Sequence, residues 1–148
     1  MCMMCDGMTE RDYWNYVRGR ILEHGWFLQA VEGEDHRNPP FAYTVGLSRL
    51  GHPELIAFGM HPECAHAAVE PLVRQVLAGR RFDEGDELTG LYDDLPPELL
   101  RFPDSSSHLF VANDLYRAPG RPPVPALQVF WPSEIDLLEG THWLAGRG

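Results

Sequence analysis

The sequence predicts an α+β domain: a mixed or antiparallel sheet of about five strands with two main helices packed on it. Three observations carry this expectation. Residues 41–47 (FAYTVGL) and 54–59 (ELIAFG) are apolar, strand-like runs separated by a turn that contains Gly51 and Pro53. Residues 9–24 and 61–77 repeat apolar positions at helical spacing. Residues 124–131 alternate as a strand does. At 148 residues the chain reads as a single domain, residues 1–148, long enough for a core. It has no internal repeat and no linker that would split it.

Taken in order, residues 1–7 (MCMMCDG) precede the first element. Thr9 caps a helix over 9–24, with Asp12 at the capping-box position. Tyr13, Val17, Ile21 and His24 share one face of it, and Gly25 supplies the left-handed stop. Residues 26–31 read as a strand. The loop 32–40 carries Glu32, Glu34 and Asp35 as a solvated surface, and Pro39-Pro40 bars a helix from entering the next strand. In 41–47, Phe41, Tyr43, Val45 and Leu47 form a large apolar face. Ala42, Thr44 and Gly46 form a small one that another backbone can approach. With 54–59 this strand makes a hairpin.

The second helix spans 61–77, with Pro62 at its first position and Gly79 just past its end. Cys64, Ala68, Leu72 and Val76 run along one face, beside Ala65, Val69, Val73 and Leu77. Pro71 is expected to kink this helix or split it. The acidic stretch 80–94 holds one short strand near 87–92. Residues 95–97 begin a turn into 98–102, and 104–107 form a loop or cap. Residues 108–113 are a strand or the start of a helix ending near Tyr116. A Pro-rich loop, 118–125, leads into the strand 124–131, and the tail 132–148 has no assigned structure.

Composition narrows the chemistry. Net charge is −10, and all twelve basic residues are arginine. Without lysine there is no Schiff base for pyridoxal phosphate and no phosphate-loop lysine. An acidic chain repels nucleic-acid backbones, so no nucleic-acid partner is expected. No apolar run approaches a membrane span, and no secretory signal is visible, so a cytoplasmic protein is expected. Three cysteines do not make a disulfide framework.

Two groups of residues invite chemistry. Cys2-x-x-Cys5 reads as a zinc half-site, a redox pair or an inert tail, and no strand precedes it as one would in a thioredoxin-type pair. His61-x-x-Cys64 would complete a four-ligand zinc site with Cys2 and Cys5, although Cys64 also fits the core stripe. Tyr43, His52 and Glu54 lie near one end of the hairpin and, with His108, make a candidate ligand pocket. In an enzyme, His52 or His108 would carry the proton and Glu54 would orient it. Ser107-His108 is not a hydrolase pair, since no Gly-x-Ser-x-Gly elbow exists. Each of these residues also has a plain structural reading, and the acidic surface and Pro-rich loop equally fit a non-catalytic protein-interaction domain. Convergence of His24, His52, His61 and His108 on one pocket would separate these readings.

A resemblance adds to this. FAYTVGL, GHPEL and a following helix that ends in glycine resemble the bacterial family known as domain of unknown function 4262 (DUF4262). Glu23-His24-Gly25-Trp26, Ser107-His108-Leu109 and residues 126–131 (ALQVFW) match further blocks, and MCMMCDG resembles the opening of its actinobacterial members. The resemblance covers about residues 2–131 and departs from the family's acidic, Trp- and Pro-containing tail afterwards. It implies a fold and brings no activity with it.

Overall fold

Five strands pair into one mixed sheet in the spatial order β1-β2-β3-β5-β4: β1 (Phe27–Val31), β2 (Phe41–Val45), β3 (Glu54–Phe58), β4 (Glu98–Arg101) and β5 (Ala126–Phe130). The computed structural model describes residues 9–33, 38–93 and 95–131. Three helices accompany the sheet: α1 (Glu10–His24), α2 (Pro62–Leu77) and α3 (Phe110–Tyr116). The α+β expectation holds, with a third, short helix in addition to the two main ones.

Local chemistry sets the first elements. The Thr9 hydroxyl accepts the Asp12 N–H at 3.1 Å, and the Asp12 carboxylate accepts the Thr9 N–H at 3.3 Å. This reciprocal box satisfies two of the free donors at the start of α1. Gly25, at φ 89°, ends the helix and turns the chain into β1. β1 pairs antiparallel with β2 over its whole length, from Phe27↔Val45 to Val31↔Phe41. β2 pairs antiparallel with β3, so the expected hairpin is present. β3 then pairs parallel with β5, and β4 closes the far edge antiparallel to β5.

The sheet separates two cores. Tyr43, Val45, Ile56 and Ala126 pack with Val17 and Ile21 of α1 and with Val111 and Ala112 of α3. On the opposite face Leu55, Leu99, Leu127 and Val129 pack with Val69, Leu72, Val73 and Val76 of α2. The strand period of two explains this: neighbours along β3 and β5 point to opposite layers. The small face of β2 admits a close neighbour as expected. A Cβ on Gly46 would sit 3.1 Å from the Gly25 carbonyl oxygen, and its φ of 130° excludes most other residues.

Several details differ from the sequence expectation. β2 stops at Val45, and Leu47 enters a 3-10 turn (Leu47–Leu50) and joins the α2 layer instead of the Tyr43 face. α2 runs unbroken through Pro71. Residues 87–92 form no strand. The fifth strand is 98–101, which pairs with β5 along one edge. Residues 110–116 resolve to the helical alternative. Cys64 is exposed and not part of the core stripe. Among the described residues, no helix is long and apolar enough to cross a membrane.

Candidate functional site

Glu54 opens β3 and is completely buried. Its carboxylate closes the β2–β3 turn. Oε1 accepts the Thr44 hydroxyl at 2.7 Å and the Leu47 N–H at 3.1 Å. Oε2 accepts the Gly46 and Ser48 N–H groups at 3.3 and 2.9 Å and the Ser48 hydroxyl at 2.6 Å. Three consecutive amides, 46 to 48, therefore form a nest around an internal anion. The Thr44 hydroxyl also accepts the Leu55 N–H at 2.8 Å, taking over where the strand ladder ends. Burial pushes the Glu54 carboxyl above the ordinary range, and the bonds from Ser48, Thr44 and Leu47 oppose that rise.

His52, also buried, works on the other side of the same turn. Its Nε2 accepts the Phe82 N–H at 2.9 Å, and its Nδ1 lies 2.8 Å from the Pro53 carbonyl oxygen. A ring nitrogen that accepts an amide proton carries none itself, so the fitting form is neutral, with the proton on Nδ1. Burial lowers the His52 pKa, which agrees with that form. The Tyr43 hydroxyl accepts the Val111 N–H at 3.0 Å and so anchors the first turn of α3. Burial pushes its pKa well above the usual tyrosine value.

His108 is half-buried and follows the 3-10 turn Ser105–Ser107. Its ring sits among Phe41, Phe58 and Phe102, at centroid distances of 5.1, 5.7 and 5.1 Å. Its Nδ1 is 3.2 Å from the Asp104 carbonyl oxygen. The hydrogen bonds of Tyr43, His52, Glu54 and His108 thus go to four different places: α3, the 82 amide, the 46–48 turn and Asp104. Glu54 does not orient His52.

Cys2 and Cys5 lie outside the described residues. His61 precedes α2 at the N-cap position without a side-chain capping bond, Cys64 occupies the first turn, and both are exposed. His24 stands exposed at the end of α1, 3.3 Å from Glu23. Among the described residues, no group of three or more His, Cys, Asp or Glu side chains is arranged to hold a metal ion.

A concavity of about 670 Å³ opens where β3 and β5 begin and β4 ends. Its apolar lining comes from both cores: Phe82 and Leu127 from the α2 layer, Phe102, Val124 and Ala126 from the α1–α3 layer. Pro53, Pro103, Pro123 and Pro125 add walls that cannot donate hydrogen bonds from their nitrogens. Arg81, Asp83, Asp86 and Arg101 stand exposed around it. Two bonds fix one wall: His52 holds the Phe82 N–H, and the Arg81 guanidinium donates to the Gly51 carbonyl. His52 therefore supports this cleft from behind without lining it. None of the cleft's charged residues stood out in the sequence. The cue available was proline density at 122–125 beside the start of a strand.

No curated protein and no solved structure shows significant similarity to the chain. Residues 20–138, more than half of it, match the family described as domain of unknown function (DUF4262). That span runs from within α1 through all five strands and takes in the cleft and the Glu54 turn, and the chain belongs to the DUF4262 family.

Proposed function

We propose that the protein is a binding domain for a small organic ligand, held in the cleft at the start of β5, without chemistry of its own. One observation carries this reading: a division among the polar groups. Glu54, His52 and Tyr43 are each at most 1% exposed and turn their polar atoms onto backbone or turn partners. A general acid or base must reach a proton on its substrate, and these three reach the protein itself. The cleft has the opposite arrangement, an apolar floor with charged groups at its rim, which is how pockets hold and orient ligands.

The test is a fragment screen followed by two-dimensional ¹H–¹⁵N NMR. The expected result is a cluster of shifted amides at Phe82, Phe102, Ala126 and Leu127. Shifts centred on Phe41, Phe58 and His108 would move the site to the aromatic pocket and revive the enzyme alternative, in which His108 carries the proton. A second reading, zinc binding by Cys2, Cys5, His61 and Cys64, is supported by the exposure of His61 and Cys64 on the first turn of α2. Elemental mass spectrometry of untagged protein tests it. Near-stoichiometric zinc, lost in a Cys2→Ser/Cys5→Ser variant, would favour that reading, and metal-free protein would end it.

A further inference from the structure

We infer that the ligand of this cleft is an apolar monoanion, an organic carboxylate whose hydrocarbon body lies on the Phe82–Phe102 floor and whose charge meets Arg81. This rests on the cleft being the binding site. The inference comes from an inventory of the four rim charges. Arg101 is matched: its guanidinium lies 3.5 Å from the Asp83 carboxylate, while its backbone N–H donates to the Glu84 carboxylate at 2.8 Å. Asp83 is matched from two sides, accepting the Glu84 N–H at 2.7 Å besides facing Arg101. Asp86 accepts the Asp83 N–H at 2.8 Å and closes that turn.

Arg81 differs. Its guanidinium donates to the neutral Gly51 carbonyl, and among the described residues no carboxylate stands within ion-pair distance of it. In a chain of net charge −10, that leaves a positive charge available at the cleft rim. The Gly51 bond also restricts where its remaining donors point, so less freedom is lost when a carboxylate docks. The same rim limits the ligand's charge. Asp83 and Asp86 flank the cleft, and a second negative group would face them. A cation would have to compete with the Arg101 guanidinium for Asp83 and with the Asp83 N–H for Asp86. The apolar floor and the four proline rings suit a hydrocarbon body better than a hydroxyl-rich, sugar-like one.

The experiment titrates three probes of one shape: 4-phenylbutyrate, 4-phenylbutyramide and 4-phenylbutylamine. ¹H–¹⁵N spectra are followed for the wild type, Arg81→Gln, Arg81→Lys and the remote control Arg74→Gln. The carboxylate is expected to shift the Phe82, Phe102, Ala126 and Leu127 amides, binding at least about ten-fold more tightly than the amide, a step worth about 1.4 kcal/mol. Arg81→Gln should abolish that preference, Arg81→Lys should keep part of it, and Arg74→Gln should leave it whole. If the amide or amine binds as well as the carboxylate at those amides, the monoanion inference is overturned and the binding-site reading survives. If the carboxylate preference persists in Arg81→Gln, the role of Arg81 is overturned. If no probe shifts the cleft amides, both readings fall. Should Arg81→Gln not fold, the wild-type series still decides the sign of the charge and Arg81→Lys the residue.

Discussion

The β2–β3 turn and the cleft at the start of β5 lie on either side of His52-Pro53, yet they use polar residues in opposite ways. In the turn, one carboxylate is buried and every partner is internal. At the cleft, four charged side chains stay in water around a floor of rings and aliphatic groups. A buried polar group without a partner is costly, so burial and full pairing go together in the turn. Exposed charges bear no such demand, because water solvates whatever the protein leaves unpaired. The difference teaches that residue type alone does not mark a concavity. Glu54 and His52 carry the more reactive-looking groups and turn them onto the protein's own backbone, whereas surface arginines and prolines frame the cleft.

The sharpest way to break this comparison is Glu54→Ala. It leaves the Gly46, Leu47 and Ser48 amides without their acceptor, and at about 1–3 kcal/mol per unsatisfied buried group the loss should exceed about 3 kcal/mol in urea unfolding. A change below about 1 kcal/mol would show that water reaches the turn and that Glu54 is not an internal keystone. Next comes His52→Ala, which strands the Phe82 N–H and removes packing. A loss of about 2 kcal/mol is expected, together with weaker probe binding at a cleft His52 does not line. Intact probe affinity would separate His52 from the cleft wall. Tyr43→Phe removes one acceptor from the Val111 N–H and should cost about 1–2 kcal/mol, with faster amide exchange at the start of α3.

A pH series sharpens the comparison further. The folded-state pKa of His52 lies below its ordinary value of 6.5. Above that value both the folded and unfolded forms are neutral, and its contribution to stability is fully present. As pH falls below 6.5 the unfolded chain takes up a proton first, and stability declines until the folded-state pKa is passed. His52→Gln, which keeps an acceptor for the Phe82 amide, should flatten that part of the profile of melting temperature against pH. An unchanged slope would assign the acid sensitivity to other groups. The smallest effect belongs to the rim: Arg101→Gln, an exposed partner of exposed Asp83, should leave the urea midpoint unmoved. A marked loss there would make the rim structural and dissolve the contrast with the turn.

Much of the fold was legible because its signals are local. Thr9 and Asp12 announce a capping box, Gly25 a helix stop, and the two apolar runs around Gly51-His52-Pro53 a hairpin. β4 was hidden because it is four residues long and paired on one side, and its partner lies about thirty residues further on. A strand of that kind carries little pattern of its own. Cys64 was misread for a geometric reason. It sits eight residues before Leu72, which at 100° per residue is about 80° round the helix and off the buried stripe. Leu47 changed layers because the strand alternation ends at Val45, where the Glu54 nest bends the backbone. Apart from the prolines at 122–125 the cleft left no mark in the sequence, since its walls come from four separated segments of commonplace residues.

The position of β5 has a consequence for the order of assembly. β5 is the last of the described strands to emerge and lies between β3 and β4, parallel to the first and antiparallel to the second. During synthesis, β2 can pair with β1 and β3 with β2 as each emerges, through short-range contacts, while the far edge of β3 stays open. β4 must wait without a strand to join until residues 126–130 leave the ribosome, and that late, non-local closure is the slow kind of step. The cleft takes its walls from both sides of the seam that β5 closes. The concavity is therefore absent from the nascent chain until β5 docks, and a molecule that binds the finished cleft would act as a latch on that docking.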